Sequence, residues 1–326
     1  MIASDPLSLA EAALASGRPD EAVAIVGRAA AANHPDALFR MAIWRLVGEP
    51  LARDLAVARS LLARAGAAGR TDATLMLAAL TANGSGAPAD WRAALHLLRG
   101  IANTDAAAQR QLALLDAMTL DESGAPCGLS EPEILSSSPL VARYAGFLSN
   151  AECEHIARAS VDLLAPSVVI DPRSGQPVPN PIRTSYGMVI GPTREDLVIR
   201  AINHRIAMLS GTLTDQGEAL SVLRYGPGQQ YRLHLDTIAG AANQRIKTVL
   251  LYLNQGFTGG ETAFPDLNLT ITPRIGDAIL FDNADDAGTP YPRSRHAGLP
   301  VTRGYKWLAT RWIRARPLDP WNWAAS

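Results

Sequence analysis

Arg224-Tyr225-Gly226-Pro227-Gly228-Gln229-Gln230-Tyr231-Arg232-Leu233-His234-Leu235-Asp236 joins a tight Gly-Pro-Gly turn to a segment that ends on an imidazole and a carboxylate. In an extended chain the side-chain direction repeats every two residues, so His234 and Asp236 face the same way. With a second imidazole from another strand they make the two-histidine, one-carboxylate set that suits Fe(II) and leaves coordination positions open. His296 is the only histidine downstream of the pair, which makes it the candidate for that second imidazole. His-x-Asp also arises by chance, so the pair alone leaves a purely structural role open.

Short apolar runs surround this segment: Ser167–Ile170, Ser185–Ile190, Leu220–Tyr225, Thr248–Leu253, Asn268–Ile271, Ala278–Phe281 and Lys306–Ile313. Turn residues separate them, as in an antiparallel sandwich or barrel. Helical patterns over Asn150–Asp162 and Arg194–Ser210 would buttress one sheet. The first of them opens on the capping run Ser149-Asn150-Ala151-Glu152. Only two of the 30 basic residues are lysines, Lys247 and Lys306, and the second stands in Gly304-Tyr305-Lys306-Trp307-Leu308-Ala309-Thr310-Arg311-Trp312. A cation inside an apolar strand is costly unless paired, and no acidic residue lies between Arg303 and Arg316. Its partner would be a carboxylate brought by a ligand, unless the side chain snorkels to the strand edge.

The run RYGPGQQYRLHLD, followed by RIKTVLLYLN, GGETAFP, the lone His296 and GYKWLATRWI, resembles the catalytic domain of prolyl 4-hydroxylases, which are Fe(II)- and 2-oxoglutarate-dependent dioxygenases. The similarity reaches upstream to Phe147–Cys153 and to Arg183-Thr184-Ser185, and so covers about residues 140–314. It implies a double-stranded β-helix (jelly roll) with iron held by His234, Asp236 and His296. It also implies O2 and 2-oxoglutarate as cosubstrates, and it allows for ascorbate. Lys306 would pair with the distal carboxylate of 2-oxoglutarate, Tyr252 would donate its hydroxyl there, and Tyr225 and Thr310 would lie near the cosubstrate. Arg183, Ser185, Tyr231, Arg245 and Trp312 match positions that face a peptide. Each has a plainer alternative: Tyr252 and Trp312 as core, Arg183 as a surface ion pair. The Pro/Gly-rich stretches Asp171–Pro181 and Asn283–Arg295 are candidate lids.

Before residue 120 the chain is rich in Ala and Leu, and it matches itself at a shift of 36: Asp36/Asp72, Ala37/Ala73, Ala42/Ala78, Gly48/Gly84, Asp54/Asp90, Ala58/Ala94 and Leu62/Leu98. That is the period of a two-helix repeat, with Gly48 and Gly84 where the first helix of each pair should stop. The pattern over about residues 5–118 resembles Sel1-like repeats, relatives of the tetratricopeptide type. Such an array either extends and solubilises the catalytic half or holds a peptide or protein substrate on its concave face. The expected organisation is α+β: helical repeats over 1–120, a linker over 121–139 and the oxygenase over 140–326.

The whole chain has 326 residues, about two domains' worth at roughly 150 each. With 48% apolar and 19% charged residues, global disorder is ruled out. Thirty basic and 31 acidic side chains leave a net charge of −1, so nucleic acid and an anionic membrane are not expected partners. No apolar run is long enough to span a bilayer. Cys127 and Cys153 make neither a disulfide framework nor a cysteine metal site, and the opening Met1-Ile2-Ala3-Ser4-Asp5 lacks the regions of a signal peptide. The expected location is the cytoplasm. The resemblance implies a hydroxylase of prolyl residues in a peptide or protein, yielding succinate and CO2. A hydroxylase of a free amino acid or other small metabolite, and a repeat scaffold with an inactive oxygenase domain, stay open as alternatives.

Overall fold

The computed structural model describes residues 5–170, 176–285 and 287–322. Contacts divide the chain into a helical unit, up to Gly124 together with Pro192–Arg200, and a sheet unit, Ala125–Gly191 together with Ala201 onward.

Seven helices build most of the first unit: Pro6–Ala15, Pro19–Ala31, Pro35–Val47, Leu55–Ala67, Thr71–Asn83, Trp91–Ile101 and Ala106–Ala117. Three begin with proline, whose missing N–H costs nothing at a first helical position. Asp54 and Asp90, one repeat apart, cap their helices by accepting from the N–H of Val57 and Ala93. Gly48 and Gly84 end theirs in the left-handed region at φ of 95° and 78°, a conformation that favours glycine. The small residues matched at the 36-residue shift are the packing positions: Ala37, Ala58, Ala73, Ala94, Leu62 and Leu98 are fully buried. Arg70 ties successive repeats together by pairing with both Asp36 and Asp72.

In the second unit every strand pairing is antiparallel. The large sheet has eight strands in the order Glu133–Ser137, Leu140–Tyr144, Ala278–Asp282, Arg245–Tyr252, Lys306–Arg314, Leu220–Tyr225, Tyr186–Ile190 and Ala165–Pro166. The smaller sheet has four: Leu269–Ile271, Thr262–Phe264, His296–Gly298 and Tyr231–His234. Two short ladders, Thr258–Gly259 with Val301–Arg303 and Val168–Ile170 with Pro177–Pro179, complete the set. The sheets enclose a core in which Val141, Leu250, Tyr252, Ile279, Phe281 and Leu308 of the large sheet meet Phe264 and Ile271 of the small one. This is the double-stranded β-helix.

Helices Asn150–Arg158 and Leu197–Ser210 pack with it. The first carries a full capping box, Ser149 accepting from the Glu152 N–H and the Glu152 carboxylate accepting from the Ser149 N–H. The same Glu152 binds Arg205 at 2.7 Å, which links the two helices.

One expectation changes. The stretch 121–139 is not all linker, because Glu133–Ser137 forms the outer strand of the large sheet, paired with Leu140–Tyr144. Its Glu-Ile-Leu-Ser-Ser sequence is short and polar, as edge strands are, and so reads as a connection. Of the candidate lids, Asp171–Pro181 lies partly outside the described residues. In Asn283–Arg295 the N–H of Asn283 donates to Ile246 at 2.7 Å, and that of Tyr291 donates to the Asn283 carbonyl at 2.8 Å.

Candidate active site

His234 closes the strand Tyr231–His234, and Asp236 lies in the bend immediately beyond it. His296 opens the neighbouring strand His296–Gly298, where the register sets it directly opposite His234. The ligand atoms of these three residues lie within 4.8 Å of one another. Each imidazole is held through its Nδ1, His234 by the carbonyl of Arg232 at 2.8 Å and His296 by that of Ser294 at 3.1 Å. Backbone carbonyls accept, so each Nδ1 carries the proton and each Nε2 presents a lone pair. Nε2 of His234 is 3.4 Å from Oδ1 of Asp236 and Nε2 of His296 is 3.7 Å from Oδ2. The buried Nε2 of His234 has no hydrogen-bond partner among the described residues.

The electrostatics match a metal centre. Burial would push the Asp236 carboxyl up, but the imidazoles of His296 and His234 and the Thr248 hydroxyl outweigh it and hold the group well below the usual carboxylate range. Burial brings His296 down to about 4 despite the carboxylate beside it, so the imidazole is neutral, the form that ligates a metal. Tyr231 stacks on His234 with ring centroids 3.5 Å apart, and Phe281 meets the edge of His296 at 4.7 Å. Two imidazoles and one carboxylate, buried, oriented and with free donor atoms, fit Fe(II).

These residues line an open cavity of about 410 Å3 that also contains Lys306, Tyr225, Thr262, Thr310, Tyr231 and Trp312 beside Leu223, Leu250 and Leu308. Lys306 is 2% exposed, and its ammonium donates to the carbonyl of Gly260 at 2.6 Å. Burial lowers it to about 8, and nearby Glu261 opposes that only in part. A cation placed in an apolar cavity with only a neutral carbonyl as hydrogen-bond acceptor is a receptor for an anionic group. Gly260 has φ of +72°, and a Cβ there would come within 3.1 Å of the Lys306 side chain. The Gly259-Gly260 turn thus makes room for the lysine.

Three further residues matched by resemblance pack around the cavity lining. The Tyr252 hydroxyl meets Oγ1 of Thr262, which lines the cavity, at 2.7 Å, and the Lys306 ammonium lies 5.4 Å from the centroid of the Tyr252 ring. Ser185 is 1% exposed, and its hydroxyl bonds Ser167 at 3.0 Å and reaches that of Tyr225, so it supports the cavity wall instead of facing a substrate. Arg245 is held by Glu218 through two bonds of 2.6 and 2.8 Å and lies 4.0 Å over the ring of Trp312. Arg183 reaches over Tyr231 at 5.6 Å, and its buried Nε has no partner among the described residues. The indole Nε1 of Trp312 is likewise buried and unpartnered.

Thr262 and Glu218 were missed. Thr262 lies in the quoted GGETAFP segment, two residues after Gly260. Glu218 had no signal, because its partners Arg245 and Arg314 lie on other strands.

A family model for the 2OG-Fe(II) oxygenase superfamily matches residues 220–314. Prolyl 4-hydroxylase 1 of Arabidopsis thaliana is 36% identical over 208 residues, a match spanning 58% of this chain and 74% of that protein. A viral collagen prolyl hydroxylase from Paramecium Bursaria Chlorella virus-1, solved as its 2OG complex, is 30% identical over 54% of this chain and 96% of its own, at a TM-score of 0.44. A Sel1 repeat protein from Oxalobacter formigenes is 23% identical over 33% of this chain and 85% of its own, at a TM-score of 0.31. Identity of 36% across 74% of a prolyl 4-hydroxylase is far above chance. The chain therefore belongs to the prolyl 4-hydroxylase family and is a 2-oxoglutarate-dependent dioxygenase that uses Fe(II) and O2.

Proposed function

We propose that this dioxygenase hydroxylates prolyl residues within a peptide or protein. The observation that carries the reading is that two aromatic side chains, Tyr231 and Trp312, line the same cavity as the three ligand atoms and Lys306. Flat rings flanking the donor set suit the apolar face of a pyrrolidine. The unpartnered Nε1 of Trp312 and Nε of Arg183 are donors for backbone carbonyls of an extended substrate. Arg245, ion-paired to Glu218, is not free to join Arg183 in clamping a free carboxylate, which disfavours a lone amino acid.

His234, Asp236 and His296 would hold Fe(II) from one side, leaving the remaining positions to ligands. Bound there with 2-oxoglutarate and O2, iron supplies the oxidising chemistry that converts an unactivated C–H bond to C–OH with release of succinate and CO2. The protein contributes placement. Lys306 takes the distal carboxylate of the cosubstrate at the buried end, with Thr310, Thr262 and Tyr225 around it. Leu223, Leu250 and Leu308 keep that end dry, which strengthens the ammonium–carboxylate attraction. The helical unit recruits the polypeptide substrate in this reading. Ascorbate as an accessory reductant and a cytoplasmic site of action belong to it as well, and the two free thiols support the latter.

Full-length protein incubated with Fe(II), 2-oxoglutarate and a lysate peptide pool should yield succinate together with peptides that gain one oxygen on proline. His296→Ala should abolish both. Hydroxylation of free proline or another metabolite with no peptide modified would replace this reading with the small-molecule one.

A further inference from the structure

Behind Asp236 stands a pair of buried polar residues that no part of the chemistry above uses. The hydroxyl of Thr248, on the strand Arg245–Tyr252, lies 2.6 Å from Oδ2 of Asp236. Nδ2 of Asn283, just past the strand Ala278–Asp282, lies 2.8 Å from the same hydroxyl. Both residues are fully buried. The direction of the bonds follows from the inventory of donors. An ionised carboxylate only accepts, so the Thr248 proton goes to Asp236 and the Thr248 oxygen must accept from the amide of Asn283. A flipped amide would set two acceptors against each other.

The amide leaves its Oδ1 without a partner among the described residues. Burying an unpaired acceptor is unfavourable, and an apolar side chain of similar size would avoid it. The backbone of Asn283 is pinned on both sides, donating to Ile246 at 2.7 Å and accepting from Tyr291 at 2.8 Å. It is therefore a fixed donor aimed at Thr248. With Oδ2 bonded to that hydroxyl the carboxylate cannot rotate freely, which fixes Oδ1 at 3.4 Å from Nε2 of His234 and Oδ2 at 3.7 Å from Nε2 of His296. The Asn283 loop runs on to Ser294, whose carbonyl fixes His296.

We propose that Asn283 and Thr248 are positioning residues for the Asp236 carboxylate, a relay that fixes the orientation in which it meets the metal and thereby sets metal affinity. The proposal rests on the metal-centre reading but not on the identity of the substrate.

Co(II) serves as the probe, titrated anaerobically into full-length protein and followed by calorimetry and by its visible absorption bands. Thr248→Val keeps the shape and removes the hydroxyl; it should weaken Co(II) binding by about 10- to 100-fold, the usual effect of losing a group that orients a ligand. Thr248→Ser should restore wild-type affinity to within about threefold and return the wild-type spectrum. Asn283→Leu, which leaves the hydroxyl but frees its orientation, should weaken binding by a smaller factor of about 3 to 10. Wild-type affinity in the folded Thr248→Val protein, or failure of folded Thr248→Ser to recover, overturns the relay. Should Thr248→Val not fold, unchanged affinity in Asn283→Leu overturns it equally. Failure of the wild-type chain to bind Co(II) would instead sink the metal-centre reading itself.

Discussion

In the helical unit the repeat-matched positions Ala37, Ala58, Ala73, Ala94, Leu62 and Leu98 are fully buried, whereas the sheet unit also buries Asp236, His296, Lys306, Glu218 and Arg314. The first set recurs along the chain, and each member meets a neighbour close in sequence. The second set is unique at every position, with partners brought together from distant strands. A buried charge persists only where something balances it. Glu218 has Arg245 and Arg314, and Asp236 accepts from the Thr248 hydroxyl in a donor set that fits a metal cation. Lys306 is the exception: its hydrogen bond goes to a neutral carbonyl, and no carboxylate lies within ion-pair distance of it among the described residues. The contrast shows where to look for function in a two-unit chain. Chemistry sits where burial and charge coincide and where one balance is left for a ligand to complete.

The contrast breaks most visibly at Lys306. Lys306→Met should raise the half-saturating 2-oxoglutarate concentration by about two to four orders of magnitude, the equivalent of about 3–5 kcal/mol for a buried charge left unpaired. Co(II) affinity should stay within about threefold of wild type. An unchanged half-saturating concentration in steady-state succinate assays would make the lysine structural.

The opposite behaviour is expected from Leu62→Ala and Leu98→Ala. Each opens a cavity between alanine-lined helices and should cost about 2–5 kcal/mol in denaturant unfolding. Neither should move the half-saturating 2-oxoglutarate concentration.

A third test uses pH. The cation of Lys306 is the form that receives a carboxylate, and in the folded protein it titrates at about 8 instead of 10.5 because of burial. Efficiency toward 2-oxoglutarate should therefore fall above pH 8, approaching tenfold per pH unit, and Lys306→Arg should remove that limb. Stability should move the other way. The folded state sheds the proton first, so the penalty of a buried cation is full below pH 8 and is relieved between about 8 and 10.5. The difference in unfolding free energy between wild type and Lys306→Met should shrink across that window.

The smallest effect sharpens the periodicity. Asp54→Ala and Asp90→Ala remove equivalent helix caps, and each should cost about 1 kcal/mol. Thermal unfolding that separates the two widely would mean the repeats are not energetically equivalent.

Much of this organisation was legible in the amino-acid sequence, for reasons that differ between the units. Helix caps, glycine stops and the 36-residue recurrence are local signals, and they appear where the caps and stops are found. In the sheet unit seven strands read from alternation and turn residues, which are local too, and His234 with Asp236 read as a pair because both are on one segment. Leu140–Tyr144, Thr262–Phe264 and His296–Gly298 did not, being short runs with little alternation. Partner choice across strands was not legible. Glu218 claims Arg245, and Thr262 claims the hydroxyl of Tyr252, through contacts that no spacing encodes. Ser185 was matched to a substrate position, yet the sheet turns it inward toward Tyr225. The strand Glu133–Ser137 escaped because an edge strand needs only one partner and little apolar character.

The opposition of His234 and His296 across neighbouring strands also matters to the chain as a polymer. One ion gripped by both closes residues 234–296 into a ring, shortening the reach of the unfolded ensemble much as a covalent cross-link does. Ligation also draws the equilibrium toward the native state by mass action, since the unfolded chain offers no assembled set of donors. The catalytic centre is thus also a clasp on the small sheet. Loss of iron would then do more than silence the enzyme: it would unfasten the strand pair that frames the cavity, leaving an apoprotein more prone to local opening and proteolysis there than at any helix of the repeat array.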